Sequence, residues 1–276
     1  MIVDMHIHSN YSDGNNSIGE IVDYCKDNNI NTISITDHNT IKGYNELKKY
    51  DIDYIMGIEF YPQFENVHLF HLLAYDFELT DEFLSLMDTL DNNRKIVMNN
   101  KLKAIRDEFD LNISLYDLDQ TRFTNHDLYN YLNKIYGAET RKKIFDYLKT
   151  IKFDNKRKVD YIRLLNLIKN AHGISILAHP KSVRCDNFDV FIENLVSNGL
   201  NGIEIYHSSF DLDDIEKYKK IADKYNLITS GGSDFHGYSK YDVDGNDVTI
   251  GCINKNRNQY INSEDISILK YVLRRK

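Results

Sequence analysis

Residues 1–14 read MIVDMHIHSNYSDG, and the interpretation of this stretch decides the fold. Ile2, Val3, Met5 and Ile7 are apolar, with Asp4, His6 and His8 interleaved. That alternation predicts a strand over Ile2–Ile7. Residues two apart on a strand share a face, so His6 and His8 point the same way. Asp13 follows on the loop beyond. A strand with ligand-competent groups at or near its end then recurs down the chain. ISIT (33–36) runs into Asp37 and His38, and YIMGIEF (54–60) holds Glu59. VHLFHLLAY (67–75) offers His68 and His71, and GISILAHP (173–180) carries His179. GIEIYHSS (202–209) carries His207, and LITSGGSDFHG (227–237) carries Asp234 and His236.

Helical patterns separate the strands. Ile18, Ile21, Val22 and Cys25 define an apolar face over about 18–28, with Ser17 as N-cap and Glu20 as its capping-box partner. A second helix is expected over about 40–48. This alternation predicts an α/β fold with a parallel sheet. In such sheets, sites form at the C-terminal ends of the strands, so residues remote in sequence would converge on one rim. From about 79 to 170 the strand signal vanishes and apolar residues recur at spacings of three and four. This segment reads as a helical insertion with a largely solvated charged face. The expected domains are therefore a discontinuous α/β unit, 1–78 and 171–276, and an insertion at 79–170.

The 276 residues carry a net charge of -8, which disfavours binding to duplex nucleic acid. Only two prolines are present and no glycine/serine-rich linker. Cys25, Cys185 and Cys252 are far apart and in no metal-ligand spacing, as expected of reduced thiols in a cytoplasmic protein. The start lacks a signal-peptide pattern, and no apolar run approaches the length of a membrane span.

The site chemistry follows from residue types. Neutral imidazole suits Zn, Mn or Fe, and a carboxylate can bridge two ions. The alternative for each histidine is a hydrogen-bonded place in the core. Asp37 and His38 are adjacent and face opposite sides, so His38 is the expected ligand and Asp37 its supporting partner. Glu59 sits in an apolar strand, where an unpaired carboxylate is costly and a metal would remove that cost. His68 and His71, three apart, face opposite ways on an extended strand, so only one reaches the site; His71 is taken, with His68 the alternative.

The segments DMHIHSNYSDG, ITDHNT, GIEF, FHLLAY, ILAHP, GIEIYHSS and GGSDFHG, in this order, resemble the polymerase-and-histidinol-phosphatase (PHP) family of metal-dependent phosphoesterases. The resemblance covers about two thirds of the chain. It implies a distorted (β/α)7 barrel holding three divalent ions, each Mn, Zn or Fe. One ion would take His6, His8, Glu59 and Asp234. A second would share Glu59 and add His71 and His179. A third would take Asp13, His38 and His236. The place of the insertion resembles the subgroup acting on nucleoside 3′,5′-bisphosphates or short RNA.

The function expected is hydrolysis of a small phosphate monoester, a nucleoside 3′,5′-bisphosphate or nucleotide, by in-line attack of a metal-bound hydroxide. No G-x-S-x-G elbow or Cys-x5-Arg loop offers a competing nucleophile. Asp234 and His207 are the candidate catalytic groups. Arg94, Arg122, Lys181, Arg184 and His207 are the candidate substrate contacts, with His126 close to Arg122. Alternatives are histidinol-phosphate phosphatase, a short-oligonucleotide exonuclease, and a metal-stabilised binding module without catalysis. The sequence gives no oligomeric state.

Overall fold

The computed structural model of the chain describes residues 1–119, 122–153, 159–237, 249–252 and 259–273. β1 (Ile2–Ile7), α1 (Ile18–Asp27) and β2 (Ile30–Ile35) open the chain. The Ser17 hydroxyl accepts the Glu20 N–H, and the Glu20 carboxylate accepts the Ser17 N–H, so the predicted capping box is formed. The four predicted apolar residues of α1 are buried. Then come α2 (Tyr44–Leu47), β3 (Asp53–Tyr54), β4 (Gly57–Phe60), β5 (Pro62–Gln63) and β6 (Leu72–Tyr75). Two long helices follow, α3 (Asp81–Phe109) and α4 (Asn125–Thr150), the latter interrupted at Gly137 with φ 81°. The remainder is β7 (Val159–Asp160), α5 (Tyr161–Asn170), β8 (Ile174–Leu177), α6 (Phe188–Ser197), β9 (Gly202–His207), α7 (Leu212–Tyr225), β10 (Ile228–Gly232) and α8 (Ile268–Leu273).

The strands form three sheets: β1-β2-β3, β10-β9-β8-β6-β4 and β5-β7. No single closed sheet forms among the described residues. The two larger sheets meet instead through isolated parallel bridges, Ile7 with Phe235 and His38 with Glu59. The expectation of an all-parallel arrangement also fails at β6, which runs antiparallel to both β4 and β8. Phe60, Leu72 and Leu177 are register partners. The start of β6 therefore lies beside the ends of β4 and β8, and His71 reaches the rim by preceding a strand rather than following one.

Three elements are shorter than their patterns suggest. VHLFHLLAY yields only Leu72–Tyr75, because Asn66 and Leu69 adopt left-handed backbone (φ 59° and 52°). The helix expected over 40–48 narrows to Tyr44–Leu47, flanked by single-turn hydrogen bonds. YIMGIEF divides into β3 and β4 around the buried Tyr44 hydroxyl, which accepts the Gly57 N–H at 2.7 Å and lies 2.8 Å from Ile35 O and 3.0 Å from Ile55 O. A side chain thus takes the place of ladder partners.

The apolar side chains gather in three clusters. The largest fills the space between the five-stranded sheet and α5, α6 and α7, and takes Phe83, Leu86 and Leu90 from the start of α3. A second lies between the three-stranded sheet and α1. The third, including Met98, Leu102, Phe123, Leu128, Leu132 and Ile144, is internal to the α3–α4 pair. α5, which falls before the expected domain boundary at 170, packs into the main core through Leu164, Leu165 and Ile168. No described helix is long and apolar enough to cross a membrane.

Candidate metal centre

Glu59 lies at the middle of the site. It sits in β4, where both neighbours are apolar and its own side chain is fully buried. Its Oε1 lies 2.9 Å from His71 Nδ1 and 3.0 Å from His179 Nε2, which are 3.1 Å from each other. Its Oε2 lies 3.3 Å from His6 Nε2, 3.1 Å from His8 Nε2 and 3.1 Å from His38 Nδ1. Despite this proximity, Oε2 receives no hydrogen bond of acceptable geometry. Nitrogens that crowd a buried oxygen without donating to it are arranged as co-ligands would be.

His6 and His8 share a face as their spacing predicts, with their Nε2 atoms 3.1 Å apart. Asp234, on the loop after β10, brings Oδ1 to 3.4 Å from His6 Nε2 and 3.1 Å from His8 Nε2. Two atoms bound to one ion at ~2.0–2.2 Å lie ~2.9–3.5 Å apart in octahedral or tetrahedral geometry. Both groups around Glu59 fit that spacing.

A further group gathers Asp13, His38, His236 and His8. His236 Nδ1 lies 2.8 Å from the Asp234 carbonyl, which can only accept, so Nδ1 carries the proton. His236 Nε2 then presents a lone pair to Asp13 Oδ1 at 3.2 Å. Two acceptors at that distance suit a shared cation. His38 Nε2 and His8 Nδ1 stand farther from Asp13 Oδ1, at 3.9 and 3.7 Å. His8 was not expected in this group. Its Nε2 faces Glu59 and Asp234, so its Nδ1 would be the protonated nitrogen once Nε2 is a ligand.

Burial and mutual proximity shift the titration of the clustered carboxylates and imidazoles. Burial disfavours the Glu59 carboxylate, but His38, His6 and His71 outweigh it and hold the pKa well below the usual range. Asp234 is likewise lowered, burial being overcome by His236 and His6. Burial works against a charged His8, yet Asp234 and Glu59 raise its pKa to about 10. Burial dominates at His38 and lowers its pKa well below the ordinary imidazole value.

Asp37 turns away from the cluster, as adjacency to His38 requires. Its Oδ1 accepts from Ser9 N (2.8 Å) and Ser12 Oγ (2.5 Å), and its Oδ2 from Ser9 Oγ (2.6 Å). It thereby fixes the loop that carries Asp13. Asp4 accepts from His6 N, Ser233 N and Gly251 N at 2.6–3.0 Å and ties β1 to the segment after β10. His207 accepts the Ser209 N–H at Nδ1 (3.1 Å), so its proton is on Nε2, 3.4 Å from Asp234 Oδ2.

The expected substrate contacts fare differently. A cavity of about 190 Å³ adjoins Asp13 and His38 and is lined also by Tyr61, Arg94, Val97, Met98, Lys101, Phe123 and Asn125. Arg94 lines it while donating to the carbonyls of His38, Asn39, Tyr11 and Arg122 at 2.9–3.4 Å. Arg122 pairs with Asp119 and Asp127. Lys181 is committed to Asp214 on α7 at 2.5 Å. Arg184 exchanges backbone hydrogen bonds with His68, which lies outside the candidate ligand groups. His126 bonds Asn130 on the exposed side of α4.

Glu204, Tyr61 and Lys101 were not anticipated. Glu204 is fully buried on β9 and contacts His6. Tyr61 stacks on His38 with ring centroids 4.3 Å apart. For Glu204 a signal existed: GIEI repeats the buried-acid pattern of GIEF.

Three comparisons place the chain among known proteins. It is 23% identical over 255 residues to a phosphoribosyl 1,2-cyclic phosphate 1,2-diphosphodiesterase of Eggerthella lenta, covering 86% of this chain and 95% of the relative. It is 25% identical over 260 residues to a 3′,5′-nucleoside bisphosphate phosphatase of Chromobacterium violaceum, covering 85% and 87%. A Bifidobacterium adolescentis protein described as a candidate metal-dependent phosphoesterase superposes with a TM-score of 0.70 at 20% identity, covering 99% and 96%. The sequence pattern of the PHP domain matches residues 4–179, more than half of the chain. On that match the chain belongs to the PHP domain family.

Proposed function

We propose that this chain is a metal-dependent phosphoesterase that hydrolyses a small phosphate monoester, a nucleoside 3′,5′-bisphosphate or nucleotide. The observation carrying this reading is Glu59, whose two buried oxygens each face a different set of imidazole nitrogens at 2.9–3.3 Å. One ion would be held by His6, His8, Glu59 and Asp234, a second by Glu59, His71 and His179, and a third by Asp13, His38 and His236. Bound divalent ions would lower the pKa of water and neutralise phosphoryl oxygens.

The chain's own residues do the rest. Asp234 offers Oδ1 to the ligand group while His207 holds a proton at Nε2 against Oδ2. His207 so restrains the carboxylate and keeps a proton near the reacting phosphate. The cavity beside Asp13 and His38 would take the organic part of the substrate. Tyr61, Val97, Met98 and Phe123 form its apolar walls, and Lys101 and Asn125 its polar end. Helices α3 and α4 would then act as a cap on a distorted barrel.

The test is an assay of purified protein, loaded with manganese, against adenosine 3′,5′-bisphosphate, histidinol phosphate and a short labelled RNA. Turnover of the bisphosphate above the other two, abolished by Glu59→Gln, is the expected result. Inactivity on all three with metal content confirmed would overturn the proposal.

A further inference from the structure

We infer that Glu204 is a positioning residue that sets the ligating tautomer of His6 and the backbone of His179 together. This inference rests on the metal-dependent reading of the site. Glu204 is fully buried, so its carboxylate is stable only if both oxygens are satisfied. Its Oε1 lies 3.1 Å from His6 Nδ1, and its Oε2 accepts the backbone N–H of His179 at 2.7 Å. An ionised carboxylate only accepts, so the proton of His6 is on Nδ1. His6 Nε2 is left with its lone pair directed at Glu59, His8 and Asp234.

The second oxygen acts on a different group. His179 has φ 25° and ψ 62° and precedes Pro180, a conformation outside the favoured regions for such a residue. Its N–H is anchored on Glu204, and its Nε2 reaches Glu59 Oε1 at 3.0 Å. One buried carboxylate therefore prepares two histidines that approach opposite oxygens of Glu59.

A carboxylate meets this requirement and an amide does not. In Glu204→Gln the side chain has one acceptor and one donor for two N–H groups. If the amide oxygen stays on His6, the NH2 confronts the His179 N–H. If it turns to His179, the NH2 favours His6 protonated at Nε2, which cannot ligate.

The experiment measures manganese and zinc binding to wild type and Glu204→Gln by competition with a chromophoric chelator. Circular dichroism checks that both are folded, and Lys220→Ala, on the exposed side of α7, serves as a control outside the site. Supporting companions of metal-ligating histidines change affinity by about 10–100-fold. A loss in that range is expected for Glu204→Gln, with the control unchanged. Wild-type affinity in folded Glu204→Gln would overturn the inference and leave the functional reading standing. No metal binding by wild type would overturn both. If the variant does not fold, long-range proton–nitrogen correlation on zinc-loaded wild type decides: Nδ1-protonated His6 supports the inference, and the Nε2-protonated form overturns it.

Discussion

Gly232 lies so close to His6 that a β-carbon added to it would stand 2.2 Å from the histidine's own Cβ. The close approach lets β10 run against β1 and deliver Asp234, whose N–H bonds His6 O at 2.9 Å. Gly232→Ala should destabilise the protein by about 1–3 kcal/mol through overpacking. It should also weaken metal binding by displacing His6. Urea unfolding and metal titration check both effects.

Asp37 should prove structural in its direct contacts and functional in its consequence. Asp37→Ala leaves three buried donors of Ser9 and Ser12 without their acceptor. A loss of about 2–4 kcal/mol is expected, at about 1–3 kcal/mol per orphaned group without additivity. Asp37→Asn should cost less, because one oxygen remains. Denaturant midpoints measure the order.

Chelation should lower the melting temperature. An ion supplied at a hundredfold over its Kd stabilises by about 2.7 kcal/mol. For a chain of this size that corresponds to about 5–10 °C. Thermal scans with and without a strong chelator, followed by readdition of manganese, test this. An unchanged midpoint would argue against the cluster as an ion site.

Arg94→Lys should destabilise by about 1–3 kcal/mol even though the charge is kept. The guanidinium reaches four carbonyls contributed by three separate segments of chain. A lysine ammonium lacks that planar fork. The same change should raise KM, because α3 would no longer be fixed over the rim. Activity and unfolding measured on one preparation separate the two effects.

Asp91 gives a prediction for pH. Burial raises its pKa, but Lys42 and Lys95 outweigh this and hold it below the ordinary carboxylate range. A carboxyl depressed in the folded state contributes stability above its unfolded pKa of about 3.9 and loses it as pH falls through the folded value. Wild type should therefore exceed Asp91→Asn at neutral pH, and the gap should close below about pH 4. The gap should stay under about 1 kcal/mol, since Lys42 and Lys95 are 38% and 41% exposed.

What was legible depended on range. His6 and His8 could be placed on one face because their relation is local and the strand period is two. The Ser17–Glu20 box was equally local. The convergence of Glu59, His179 and Asp234 came through the family resemblance and the rule for strand ends. The reversal of β6 was not legible, because strand direction is set by pairing and leaves no mark on a four-residue apolar run. His71 therefore comes to the rim by a route that the strand-end rule did not foresee. The ion-pair partners of Arg122 and Lys181 were not legible for another reason. Asp127 and Asp214 are acids that a spacing argument does not connect to them.

The reversal of β6 also sets a length. The chain leaves that strand at the end of the sheet remote from the site, so α3 starts at the floor and must climb past the sheet. Arg94 comes thirteen residues after Asp81, about 20 Å along the axis at 1.5 Å per residue. That helix is a ruler: the depth of the sheet fixes how many turns precede the residues that reach the rim. Removing one turn between Leu86 and Arg94 would lower the cavity wall by about 5 Å and free the carbonyls of His38 and Asn39 from the guanidinium.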